Sequence, residues 1–148
     1  MREVFKPLAI VATTVDDSHV WNLVGVELKL RDRGFAVRNL GACTSPAEIA
    51  EAVRTYRPAL LAISTINGHG ALSIAPILET LEQYQLKRAV KIVVGGLLTT
   101  DPALAPAAAQ RLLDHGVDAV LTGADAWQRF DGMFASQPNG RTRSSCGD

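Results

Sequence analysis

The strongest constraint on this chain is an alternation: short β-branched runs trade places with helical stretches along nearly its whole length. Pro7 to Thr14 (PLAIVATT) predicts a buried strand. Leu23 to Arg33 predicts a helix, with Gly34 placed to end it in a left-handed cap. Phe35 to Leu40 predicts a second strand. Ser45, Pro46 and Glu48 have the capping-box form, so a helix should open there and run to about Tyr56. Ala59 to Ser64 predicts strand three, Leu72 to Gln83 a third helix, and Val90 to Val94 strand four, stopping at Gly95-Gly96. Asp101-Pro102 starts a helix that ends near His115-Gly116. Val117 to Leu121 predicts strand five, and Ala124 to Phe134 the last helix.

Such alternation implies an α/β fold, a parallel sheet with helices on both faces. Right-handed crossovers leave few strand orders, and the flavodoxin-like, doubly wound order 2-1-3-4-5 is the expected one for five strands. With 148 residues there is room for one well-buried core. The expectation is one domain over residues 1–134 and a polar, disordered tail over 135–148.

Hydrophobic content of 47% with 20% charge is globular. Fifteen Lys and Arg balance 15 Asp and Glu, which removes the electrostatic reason to expect nucleic acid as a partner. The N-terminal apolar stretch, Leu8 to Val15, is too short to span a bilayer, and no cleavage site precedes the fold, so a cytoplasmic protein is expected. Cys43 and Cys146 are far apart and form no CxxC pair, which speaks against a disulfide framework or a zinc knuckle.

In a sheet of this order, ligands bind outside the carboxyl ends of the strands, where strands one and three part. Four loops should converge there. They are Val15 to Asn22, Ser64 to Gly70, Gly95 to Thr100, and Thr122 to Asp125. An imidazole with a carboxylate two residues away, as in His19 and Asp17, is the form of a tuned metal ligand. One histidine cannot build a zinc site. It suffices where a macrocycle already supplies the other ligands. Gly95-Gly96 removes two Cβ atoms where a bulky ligand could approach.

Asp17-Ser18-His19-Val20-Trp21-Asn22, then Ser64-Thr65-Ile66, then Gly95-Gly96, resembles the D-x-H-x-x-G, S-x-L, G-G signature of cobalamin-binding domains. The resemblance runs from about Pro7 to Phe134 and is closest to the small subunits of glutamate (methylaspartate) mutases. It implies His19 as the lower axial ligand of cobalt in a base-off, His-on cofactor, with Asp17 bonded to its far nitrogen. Asp16, Ser18 and Val20 would complete that loop. Ser64 would meet the displaced benzimidazole, Thr65 and Ile66 would line the slot for the nucleotide tail, and Gly95, Gly96, Leu97, Leu98, Thr99 and Thr100 would pack along it. Gly123 would make another tail-contacting turn. Asn22 stands where the motif has glycine and Ile66 where it has leucine; the second exchange conserves volume.

Blander roles exist for each residue. Asp16 and Asp17 could cap the first helix. His69 is a rival ligand, His115 suits a helix C-terminus, and the double glycine could be a plain turn. Trp21 could shield the site or anchor a partner, and Trp127 reads as core.

The resemblance further implies the cofactor-binding component of an adenosylcobalamin-dependent isomerase that converts L-glutamate to threo-3-methylaspartate. No acid or base in this chain would act on substrate. A larger catalytic (β/α)₈-barrel subunit, about 250 residues, would be supplied in trans and would hold the amino-acid substrate. Alternatives are a corrinoid carrier for methyl transfer and a non-catalytic cobalamin sensor or chaperone. The carrier is disfavoured because no helical cap precedes the first strand. A flavodoxin or response regulator is disfavoured because the first loop lacks a phosphate cradle and strand three ends in Ser64 rather than a phosphoacceptor aspartate.

Overall fold

The computed structural model describes residues 5–134. The predicted tail, with Cys146, lies outside the described residues. Five strands form one parallel sheet, β1 (Leu8–Ala12), β2 (Ala36–Asn39), β3 (Leu60–Thr65), β4 (Lys91–Gly96) and β5 (Ala119–Leu121). Their order is β2-β1-β3-β4-β5, the predicted one. The helices are α1 (Val20–Asp32), α2 (Pro46–Tyr56), α3 (Gly70–Gln83), α4 (Ala105–Asp114) and α5 (Ala126–Phe134). A single 3₁₀ turn, Pro102–Leu104, precedes α4. Among the described residues, no helix is long and apolar enough to cross a membrane.

Local signals set several boundaries. Ser45 accepts from the Glu48 N–H while the Glu48 carboxylate accepts from the Ser45 N–H, so the capping box closes and α2 starts at Pro46. Gly34 has φ +89°, and the Phe35 N–H reaches back to the Leu30 carbonyl, the left-handed cap expected after α1. Two helices begin earlier than their apolar periodicity suggests. α1 starts at Val20, a turn before Leu23, and α3 at Gly70 rather than Leu72. In both, a histidine (His19 or His69) is the N-cap, with no side-chain capping bond.

Side chains alternate between the two faces of the sheet, as strand geometry requires. Ile10, Ala12, Leu61, Ile63, Ile92 and Val94 pack with α2, α3 and α4 residues such as Ile49, Val53, Ile77 and Leu112. Ala9, Val11, Leu60, Ala62 and Val93 pack on the other face with Leu23 and Leu30 of α1 and Phe130 of α5.

That second face is not filled evenly. Along β3, the residues on it shrink from Leu60 through Ala62 to Ser64, and along β4 from Val93 to Gly95. Register puts Ala62 beside Val93 and Ser64 beside Gly95. The small side chains therefore coincide at the carboxyl end, and α1 and α5 stand over a floor that drops away beneath them.

Candidate functional site

The β1–α1 loop is organised around Asp17, a carboxylate only 1% exposed. Its Oδ1 accepts from the His19 backbone N–H at 2.9 Å and meets the His19 Nδ1 at 2.6 Å. Its Oδ2 accepts from the Thr65 hydroxyl at 2.7 Å and the Ile66 N–H at 2.8 Å. Burial pushes this carboxyl up, but the bonds from the His19 N–H, Thr65, the Ile66 N–H and the His19 ring outweigh it and hold it at about 2.

Asp17 is thus ionised at neutral pH and can only accept, so His19 Nδ1 must carry a proton. In the neutral ring the tautomer is then set, with the lone pair on Nε2. The His19 side chain is 53% exposed, so that lone pair belongs to a ring fixed at one end and open at the other. Asp16 does a different job. Its carboxylate accepts from the Thr14 and Ser73 hydroxyls at 2.7 and 2.8 Å, tying the loop to α3. The Thr14 bond and then the Ser73 bond hold it below the usual range against burial. Neither aspartate caps α1.

Beside this loop lies a slot of about 350 Å³ between α1, α5 and the sheet. Its floor is Ala62, Ser64, Val93, Gly95 and Gly96, and its far wall is Leu121, Thr122 and Gly123. Asn22, Val26 and Lys29 form one stripe of α1 along it, and Trp127 and Phe130 of α5 close it. Asn22 donates from Nδ2 to the Ser64 hydroxyl across its mouth. Lys29 and Arg33 stack on the Trp127 ring, at 5.0 and 4.7 Å from its centre.

Several predicted slot residues lie elsewhere. Thr65 is fully buried and, with Ile66, is spent on Asp17. Leu98 belongs to the core on the opposite face, and Thr99 and Thr100 line a groove there with Gly68 and His69. Leu97 is exposed, its N–H bonded to the Thr65 carbonyl. Gly95 and Gly96 do line the slot, but for a backbone reason. Gly96 has φ +102°, and a Cβ there would stand 2.0 Å from the Thr65 carbonyl oxygen. Ser18 and Val20 are exposed beside His19. His69 has no side-chain capping bond, whereas His115 Nδ1 meets the Arg111 carbonyl at the end of α4, as its position suggests. Trp127 packs against the core, as expected, and also walls the slot.

Among the described residues, no group of three or more His, Cys, Asp or Glu side chains could hold a metal ion. A metal at His19 Nε2 would need its remaining ligands from elsewhere, as a macrocycle provides. The B12 binding domain model matches residues 7–126. The chain belongs to the B12-binding domain family. Cobalamin is the cofactor of that family, and the lone, tautomer-fixed histidine beside a deep slot fits it.

Among curated relatives, the glutamate mutase sigma subunit of Halobacterium salinarum is 26% identical over 82% of this chain and 80% of its own length. The HTH-type transcriptional repressor CarH of Myxococcus xanthus is 28% identical over 83% of this chain but only 38% of its own. A cobalamin-binding protein from Desulfitobacterium hafniense DCB-2 superposes with a TM-score of 0.71 at 19% identity, over 87% of this chain and 59% of that one. It shares the fold.

Val26, Lys29, Leu121, Thr122 and Trp127 line the slot as well, outside the motif blocks of the sequence. A signal existed for part of this: Asn22, Val26 and Lys29 fall at helical spacing behind His19.

Proposed function

We propose that this chain is the cofactor-carrying subunit of an adenosylcobalamin-dependent carbon-skeleton mutase that interconverts L-glutamate and threo-3-methylaspartate. One observation carries the reading: a four-bonded Asp17 carboxylate faces His19 Nδ1 and leaves Nε2 open beside a slot of about 350 Å³. The similarity to a glutamate mutase sigma subunit over four-fifths of both chains supports the choice of reaction.

In this reading His19 Nε2 would hold the cobalt, and Asp17 would raise its basicity through the Nδ1 hydrogen bond. Asp16, Ser18 and Val20 keep the loop in place. Ser64 meets the displaced base, while Gly95, Gly96 and Gly123 line the nucleotide tail. When bound, the cofactor supplies a weak cobalt–carbon bond for radical chemistry above this site. A (β/α)₈-barrel partner in the cytoplasm covers that upper face, excludes water and binds the amino acid.

The full chain, a glutamate mutase large subunit, adenosylcobalamin and L-glutamate should together yield 3-methylaspartate, followed by proton NMR. No product, with a large subunit active beside its own small subunit, would contradict the mutase reading. The similarity to CarH favours a second reading, a cobalamin-responsive regulatory domain. Tight cofactor binding without turnover would select it.

A further inference from the structure

We propose that Asn22 is a positioning residue. It turns the Ser64 hydroxyl into a hydrogen-bond donor aimed at an unprotonated ring nitrogen on the heteroaromatic base of the cofactor's nucleotide tail. The inference rests on the cobalamin reading above and deepens it.

Ser64 sits at the carboxyl end of β3, 6% exposed, at the mouth of the slot. A hydroxyl has one proton to give and two lone pairs to receive with. Asn22 Nδ2 donates to Ser64 Oγ, which occupies a lone pair and leaves the proton unspent. Among the described residues, Ser64 makes no other side-chain hydrogen bond. An accepted bond also polarises the hydroxyl and strengthens the bond it gives.

The rest of the slot is mostly apolar, with Val26, Leu30, Ala62, Val93 and Phe130 around the Trp127 ring. Such walls take a flat, apolar body with one acceptor, and a benzimidazole-type base has that form. Asn22 is also the third residue of α1, one turn after His19, so the element that begins at the ligand also sets the polarity of the slot. Asparagine in the glycine position of the motif therefore serves the tail rather than obstructing it.

Direction of the hydrogen bond is what the test must read. Asn22→Gly removes it. Asn22→Asp reverses it, because a carboxylate accepts the Ser64 proton and leaves nothing to give the base. The full chain and its variants are titrated with cobalamin and with cobinamide, the same corrin without the nucleotide tail, by absorbance and calorimetry. Circular dichroism checks the fold.

Asn22→Gly should weaken cobalamin binding about three- to tenfold, the worth of one hydrogen bond, and Asn22→Asp should weaken it further. Cobinamide affinity should stay within about twofold for both. In a Ser64→Ala background, Asn22→Gly should have no further effect, since the two act as one unit. Unchanged or tighter cobalamin binding by Asn22→Gly overturns the proposal, as does an equal loss of cobinamide. So does additivity in the double variant. Failure of the underlying reading looks different: the wild-type chain then binds neither corrinoid, or binds cobalamin with its base still on cobalt.

Discussion

Replacing Asp17 by asparagine changes one buried oxygen into an amide, and the four bonds to that carboxylate set the cost. A carboxamide keeps one acceptor oxygen. If the oxygen stays toward His19, the amide faces Thr65 and the Ile66 N–H. Thr65 can turn its hydroxyl to Asn67 Oδ1, 3.2 Å away, but the Ile66 N–H has no such freedom. Losing one charge-assisted bond and leaving one backbone donor unpaired should cost roughly 2–4 kcal/mol at pH 7.

The opposite orientation leaves the His19 N–H unpaired at similar cost and forces the ring to accept at Nδ1. Acidity separates this loss from a packing effect. Asp17 lies at about 2 in the folded chain against 3.8 for an ordinary aspartate. Its contribution is therefore complete above pH 3.8 and is lost as pH falls through about 2. The full shift is worth about 2 kcal/mol, of which roughly 1 kcal/mol has gone by pH 3.

Urea unfolding of both proteins, followed by far-ultraviolet circular dichroism at pH 7, 5 and 3, should show the gap narrowing by about 1 kcal/mol at the lowest pH. A variant within about 1 kcal/mol of wild type at pH 7, or a gap constant from pH 7 to 3, would refute the assignment of Asp17 as the ionised hub of the loop.

Thr65→Val should cost about 1 kcal/mol and move the Asp17 carboxyl upward, measured by carboxyl-carbon NMR titration; an unmoved titration would contradict the Thr65 bond. Gly96→Ala should destabilise by roughly 3 kcal/mol or more, since both the φ of +102° and the Thr65 carbonyl oppose a Cβ. Near-wild-type urea midpoints would show that this backbone can shift. Ser45→Ala opens the α2 capping box and should cost about 1 kcal/mol without altering corrinoid affinity, because α2 lies on the face opposite the slot. A change in affinity would mean the two faces are coupled.

Periodicity and end signals carried most of the fold. The capping box, the Gly34 cap and the alternation of runs lead straight to the observed helices and sheet order. α1 escaped by a turn because its first residues, Val20 and Trp21, are exposed and give no apolar repeat. At the site, the Asp17–His19 pair was legible because both partners lie within three residues. Thr65 and Ile66 were placed in the slot instead of on Asp17, since a bond across 48 residues of sequence leaves no local trace. The slot itself depends on β3 and β4 register: Ser64 beside Gly95 is a fact of pairing, which neither strand reveals alone. Leu98 to Thr100 follow β4 in a loop, where no strand alternation tells which face they join.

His19 is where the account is most exposed. The full chain is loaded with cobalamin and reduced to Co(II), and its electron paramagnetic resonance spectrum is recorded with natural-abundance and with ¹⁵N-labelled histidine. Nitrogen splitting should change with the label and disappear in His19→Ala. Splitting indifferent to the histidine label, or retained in His19→Ala, would contradict it.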